Sequence, residues 1–192
     1  CAARHLVKVY RDSYGLYAVQ GWLFNHEGVR RGEEFVTRKI TKNVARIFME
    51  LQRGAGIKPL QLGNLDSKRD WSDAEDFVDG VWKMLNQEAP QDYVLSSDET
   101  HSIREFVVEA FNFGGFHREQ CIWRGEGVNE KYFHGEDCLV EINKDFYRPA
   151  EVDLLLGDST HAREQMGWKP KCNFLRLVRK MVDIDLQAAM LP

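Results

Sequence analysis

The sequence predicts an α/β protein, and three observations carry that reading. Segments with apolar residues at helical spacing alternate with short runs of β-favouring residues. The helical segments close on glycines or stop before prolines, which places their ends. No stretch repeats another and none is of low complexity, so neither a solenoid nor a linker is expected.

Residues 1–14 read as an amphipathic helix that ends at Gly15. No Ser, Thr, Asp or Asn stands before it to cap its first amides. With Cys1 in place of an initiator Met, the natural chain is expected to extend upstream. Residues 16–22 alternate and predict a strand. Residues 25–32 read as a polar loop. Phe35, Ile40, Val44, Ile47, Phe48 and Leu51 recur at helical spacing, and that helix stops near Gly54-Ala55-Gly56. Residues 59–62 predict a short strand. Asp73 opens a helix expected to bury Phe77, Val78, Val81, Trp82 and Leu85 and to end before Pro90.

Residues 92–96 predict a strand. Ser102-Ile103-Arg104-Glu105 is a capping box that opens a helix running to about Phe113. Residues 114–138 have few periodic apolar positions and read as irregular, or as a hairpin arm; residues 139–142 predict a strand. Gly157-Asp158-Ser159 leads into a short helix ended by Gly167, and Lys169-Pro170 breaks the chain. The last helix places Phe174, Leu177, Val178, Met181 and Val182 on one face.

Composition bounds the function. The 192 residues allow one sizeable domain, or a partial domain with a smaller lobe. Hydrophobic residues at 43% and charged residues at 29% are ordinary for a globular protein. A net charge of -4 argues against nucleic-acid binding, which needs a basic face, but leaves room for a local anion pocket. Cys1, Cys121, Cys138 and Cys172 match no zinc spacing, so no metal is expected. Free thiols fit a reducing, cytoplasmic compartment. No apolar run approaches the ~18 residues of a membrane span.

Four motifs could carry chemistry. Asn25-His26-Glu27-Gly28-Val29-Arg30-Arg31-Gly32 follows a strand, where α/β proteins bind ligands, and offers an amide, an imidazole, a carboxylate and two guanidiniums. A solvated loop has the same composition. Arg38 and Lys39 fall in the first turns of a helix, where cations are mildly unfavourable unless an anion is near; an exposed pair would cost only a few tenths of a kcal/mol. Leu62-Gly63-Asn64-Leu65-Asp66 runs on to Arg69-Asp70-Trp71. Gly63 allows close backbone approach, and Arg69 could reach a phosphate while Asp70 holds it. The alternative is a structural Arg–Asp pair over a buried Trp. In Tyr147-Arg148-Pro149-Ala150-Glu151-Val152-Asp153, one carboxylate could accept from both the N2 amino group and the ring N–H of guanine. Two solvated charges would look alike. No glycine-rich turn follows a strand and opens a helix, so the usual dinucleotide cradle is missing from these residues.

Taken in order, these motifs resemble the GDP-mannose 4,6-dehydratase family, a branch of the extended short-chain dehydrogenase/reductases. Ser13-Tyr14-Gly15-Leu16-Tyr17-Ala18, Leu23-Phe24 before the first motif, residues 35–40 and Gly167-Trp168-Lys169-Pro170 extend the likeness over essentially the whole chain. The resemblance implies the C-terminal part of a Rossmann-like doubly wound sheet plus a smaller α/β substrate-binding lobe. Residues 1–60 would belong to the NADP-binding domain and residues 61–192 mainly to the lobe, with some strands and helices returning to the Rossmann part. It implies a lyase reaction: NADP takes hydride from C4 of the mannose ring of GDP-mannose, water leaves from C6 after C5 is acidified, and hydride returns to C6. The product feeds GDP-fucose and related sugars.

The family's Tyr-x-x-x-Lys, Thr and Glu would all lie upstream, with the Lys directly before Cys1, so no catalytic residue is expected in this chain. His26 and Arg31 match cofactor contacts. Asn25, Lys39 and Arg69 match the substrate side near the diphosphate, and Arg148 and Glu151 the nucleotide end. The double-Arg loop would lie at a subunit interface of a dimer or tetramer. Gly28-Val29 departs from the family's usual Ser-Pro. An isolated half of such a sheet would expose a strand edge and an apolar face.

Overall fold

The computed structural model describes residues 1–147, 152 and 154–191. In chain order the elements are α1 (Ala2–Tyr14), β1 (Gln20–Leu23), β2 (Asn25–Glu27), α2 (Val36–Gln52), β3 (Leu60–Leu62), β4 (Lys68–Arg69), β5 (Trp71–Asp73), α3 (Ala74–Met84), β6 (Asp92–Leu95), β7 (His101–Ser102), α4 (Ile103–Phe113), β8 (Cys121–Arg124), β9 (Lys131–His134), β10 (Asp137–Ile142), α5 (Thr160–Met166) and α6 (Phe174–Met190). They form two compact units. The first comprises Cys1–Glu27, Asp70–Thr100 and Leu155–Phe174; the second comprises Gly28–Arg69, His101–Leu154 and Leu175–Pro192.

In the first unit β1 pairs in parallel with β6, and β2 in parallel with β5. Its core is Phe77, Met84, Tyr93, Leu95, Ala162 and Trp168. Gly80 sets the fit. A Cβ there would lie 2.6 Å from Leu95 Cδ1 and 2.9 Å from Trp168 Nε1, so α3 can approach both only without a side chain. The Trp168 indole donates to Asp76 O at 2.9 Å, and the Asp76 carboxylate accepts from the amides of Lys171 and Cys172. The Gly167-Trp168-Lys169-Pro170 motif thus anchors the chain after α5 to the start of α3.

The face of α3 differs from the expected one. Phe77, Gly80 and Met84 turn inward, while Val78, Val81, Trp82 and Leu85 are exposed. Apolarity alone ranks Trp82 above Gly80; close helix–strand approach reverses the order. The strand expected over residues 16–22 starts only at Gln20. Gly15 caps α1 in the left-handed region (φ 61°), and the Ala18 amide turns back to Leu16 O. Asn25–Glu27 is a strand, not loop: it pairs in parallel with Trp71–Asp73, a partner too far along the chain for local sequence to show. No residue of α1 is buried. Its end is fastened by Arg11, which reaches Asp92 Oδ1 at 2.9 Å and Ala18 O at 3.2 Å.

In the second unit β3, β10, β9 and β8 form one sheet in that order, parallel between β3 and β10 and antiparallel beyond. β4 and β7 make a short antiparallel pair. Ile40, Val44 and Ile47 of α2, Phe106, Val107 and Phe111 of α4, and Leu139 and Val140 of β10 are fully buried. The apolar face of α6 is as expected: Leu177, Val178, Met181 and Val182 are buried. The capping box is complete, with Ser102 Oγ accepting from the Glu105 amide and Glu105 Oε2 accepting from the Ser102 amide. Of the two readings of the stretch 114–138, irregular or a hairpin arm, the structure has the hairpin: antiparallel β8 and β9, followed by the start of β10. Its pairs include Trp123 against Tyr132 (4.6 Å between centroids) and Arg124 over Phe133. Charged side chains on these strands hide the period of two.

Candidate functional site

The first unit contributes β2 and the turn after β6. His26 stacks on Phe77 (centroids 5.2 Å apart), and its Nδ1 lies 3.0 Å from Phe24 O. Only a protonated Nδ1 can donate to that carbonyl, so in the neutral ring Nε2 is the accepting nitrogen. Asn25 precedes it on the half-buried strand, and the Glu27 carboxylate is buried.

The turn after β6 is a polar knot that the sequence did not reveal. Asp70 Oδ1 accepts from the amide and hydroxyl of Ser97 (2.8 and 2.6 Å), and Oδ2 accepts from the amides of Asp98 and Gly157 (3.1 and 3.3 Å). Asp98, in the left-handed region at φ 63°, accepts from Ser96 Oγ and from the amide and hydroxyl of Ser159, and pairs with Arg163 at 2.7 Å. Ser-Ser-Asp after one strand and Gly-Asp-Ser later in the chain are the only sequence signal. The expectation that Asp70 serves mainly to hold Arg69 gives way: both its oxygens fix the turn.

The second unit contributes the loop into α2, the end of β3, and β4. Two successive turns, Gly28 to Arg31 and Gly32 to Phe35, lead into the helix, and the Arg31 guanidinium lies 3.5 Å above the Phe35 ring. The start of α2 has no side-chain cap and no acidic residue in its first turn, an arrangement that favours an anion. Its two cations part company. Arg38 turns inward and pairs with the buried Asp185 at 2.9 Å, and burial pushes the Asp185 carboxyl above its usual range. Arg38 is therefore not one of an exposed pair. Lys39 stays half-buried with its ammonium 4.0 Å from the centre of the Phe146 ring, and burial draws its pKa down.

Gly63 does permit a close backbone approach, and the approaching atom is the carbonyl oxygen of Phe146, 2.5 Å from where a Cβ would stand. Arg69 donates from Nη1 to Lys68 O at 2.8 Å and to Val152 O at 2.5 Å, and Lys68 bridges in parallel to Leu154. Arg148 and Glu151 lie outside the described residues. The chain on either side of them is held, however: Phe146 under Lys39, and Val152 at Arg69. The second unit so joins three of the four motifs. Among the described residues no cluster of His, Cys, Asp and Glu could hold a metal ion, and no helix is long and apolar enough to cross a membrane.

Known proteins match this arrangement at two levels. The chain superposes on RMD from Pseudomonas aeruginosa, solved with NADPH, with a TM-score of 0.74 at 19% identity over 97% of this chain and 53% of that one. It superposes on UDP-glucose 4-epimerase from Thermus thermophilus with a TM-score of 0.70 at 20% identity over 96% and 51%. These likenesses show the fold, a Rossmann-type α/β arrangement. In sequence it is 46% identical to GDP-mannose 4,6 dehydratase of Drosophila melanogaster, over 93% of this chain and 44% of that protein. It is 45% identical to GDP-mannose 4,6 dehydratase 1 of Arabidopsis thaliana (98% and 46%) and 43% identical to the Homo sapiens protein (95% and 47%). The chain spans about half the length of the curated relatives it matches. The sequence profile described as GDP-mannose 4,6 dehydratase matches residues 1–181, and the chain belongs to that family.

Proposed function

We propose that this chain forms the nucleotide-sugar side of a GDP-mannose 4,6-dehydratase. One observation carries the reading. Lys39 and Arg69 stand at the two anchored ends of the segment that contains Arg148 and Glu151, so two phosphate-matching cations flank the guanine-matching motif. In this reading Lys39 and Arg69 bind the diphosphate, while Arg148 and Glu151 take the nucleotide end, Glu151 accepting from guanine N2 and the ring N–H. Asn25 is assigned to the substrate as well, by its motif. NADP, when bound, would supply the hydride-transfer chemistry that the mannose ring requires. His26, with Nε2 as acceptor, and Arg31, its guanidinium over the Phe35 ring, have the donor and acceptor chemistry to hold the cofactor. In this reading residues 1–60 complete the cofactor domain, and residues 61–192 mainly form the nucleotide-sugar lobe, with some strands and helices returning to the cofactor domain.

No Tyr-x-x-x-Lys and no glycine-rich dinucleotide turn occurs within residues 1–192, so these residues alone do not turn over GDP-mannose. The four free cysteines fit a reducing, cytoplasmic setting. The exposed Leu6, Val9, Tyr10 and Tyr14 of α1 fit a surface covered by another part of a homo-oligomer. The test is calorimetric titration of the full-length protein with GDP, UDP and dTDP. GDP is expected to bind at least about tenfold more tightly than the others, an advantage of about 1.4 kcal/mol or more, and Arg69→Ala to weaken it by a similar factor. A preference for UDP or dTDP would replace this reading with that of an epimerase or reductase on another nucleotide sugar.

A further inference from the structure

A lysine that binds a diphosphate must hold a long, flexible chain in one place, and that ordering opposes binding. In the second unit the ordering is already done. The Lys39 ammonium lies 4.0 Å from the centre of the Phe146 ring, a distance at which the negative face of the ring attracts it. An ammonium carries three N–H donors, and a ring face can engage it from one side only, which leaves donors for phosphate oxygens.

Phe146 is itself fixed. The Asn143 amide donates to Leu62 O at 2.7 Å, and its side chain donates to Gln61 Oε1 at 2.8 Å and accepts from the Asp145 amide at 2.9 Å. The Phe146 amide then closes a 3-10 turn on Asn143 O at 3.1 Å. The Phe146 carbonyl comes down onto Gly63. This turn therefore hangs from the carboxyl end of the parallel pair β3–β10, where Leu62 and Ile142 are in register. Phe146 remains 45% exposed, so filling the core is not its task. Burial that draws the Lys39 pKa down is opposed by the same ring face, which favours the charged form.

We infer that Phe146 is a positioning residue, whose ring holds the Lys39 ammonium where the diphosphate of the nucleotide sugar meets it. This rests on the reading of Lys39 as a diphosphate ligand, and Gly63 belongs to the device because a side chain there would displace Phe146.

The experiment is a double-mutant cycle on GDP affinity, measured calorimetrically in the full-length protein. Phe146→Leu keeps apolar bulk and removes the ring. It is expected to weaken GDP binding about three- to tenfold, whereas Phe146→Tyr stays within about twofold of the unmodified protein. Gly63→Ala is expected to weaken binding in the same direction. In a Lys39→Ala background, Phe146→Leu is expected to have no further effect, and the urea midpoint of Phe146→Leu to be unchanged. If Lys39→Ala leaves GDP affinity intact, the reading of Lys39 fails. If Lys39→Ala weakens binding but Phe146→Leu does not, the positioning role is overturned. It is also overturned if Phe146→Leu costs the same with and without Lys39, because the ring would then act on the nucleotide or the fold directly.

Discussion

The turn after β6 in the first unit and the start of α2 in the second are both charged, yet they satisfy charge in opposite ways. At the turn, Asp70 accepts from three backbone amides and a hydroxyl, and Asp98 from an amide, two hydroxyls and Arg163. At the helix, Arg38 and Asp185 sit 2.9 Å apart without an aligned hydrogen bond among the described residues, and Lys39 has the face of a ring. Donors of the fold fill the lone pairs of the first pair of carboxylates, which leaves them little capacity for a ligand. A cation on an aromatic face keeps N–H donors that an anion can use. Donor count and burial together therefore separate structural charge from ligand-binding charge: the carboxylates of the turn are saturated, Arg38 is buried against Asp185, and only Lys39 keeps both exposure and spare donors.

Asp70→Ala puts this contrast at greatest risk. It strands the amides of Ser97, Asp98 and Gly157 at a site where Asp70 is fully buried. Unsatisfied buried donors cost about 1–3 kcal/mol each, so a loss of about 4 kcal/mol in unfolding free energy is expected. Urea unfolding followed by tryptophan fluorescence measures it. A loss below about 1 kcal/mol would mean that water replaces the carboxylate and that the knot is not structural.

What the sequence made legible follows from the range of the interactions. Helix ends are local, so Gly15, the Ser102–Glu105 box and Gly167 mark real boundaries. The burial of Leu177, Val178, Met181 and Val182 follows from their spacing. β2 was missed because its partner lies more than 40 residues away and its side chains are polar. The inward face of α3 was missed because it turns on Gly80, a residue with no apolarity to read. Lys39 and Arg69 were visible as cations at helix and strand ends. Their partners, the Phe146 ring and Val152 O, lie 107 and 83 residues away in sequence (146 − 39 and 152 − 69), so no spacing rule links them.

A second, somewhat smaller effect separates the neighbours Arg38 and Lys39. Arg38→Met removes the partner of a fully buried carboxylate and is expected to cost about 3 kcal/mol. Lys39→Ala is expected to change stability by no more than about 0.5 kcal/mol, and its effect to fall on GDP affinity. Asp185 adds a pH signature. Its pKa is raised by burial, so the native state holds a proton that the unfolded state releases. The contribution is full below the ordinary carboxylate range and is lost as pH rises through the raised value. The stability of the unmodified protein relative to Asp185→Asn should fall over that window and be flat below it, as read from urea midpoints at successive pH values. A rise instead would show that attraction to Arg38 outweighs burial.

The smallest expected effect tests the first unit on its exposed side. Trp82 is 67% exposed although its spacing on α3 marks it for the core, while the fully buried Trp168 lies against Gly80. If Gly80 sets the inward face, Trp82→Gln removes little buried contact, and the urea midpoint of the 192-residue chain should correspond to a change within about 0.5 kcal/mol. The same substitution breaks up the apolar patch made with Val78, Val81 and Leu85, so light scattering at a given concentration should fall. A cost of several kcal/mol would return Trp82 to the core, and with it the face of α3 that side-chain apolarity alone predicts.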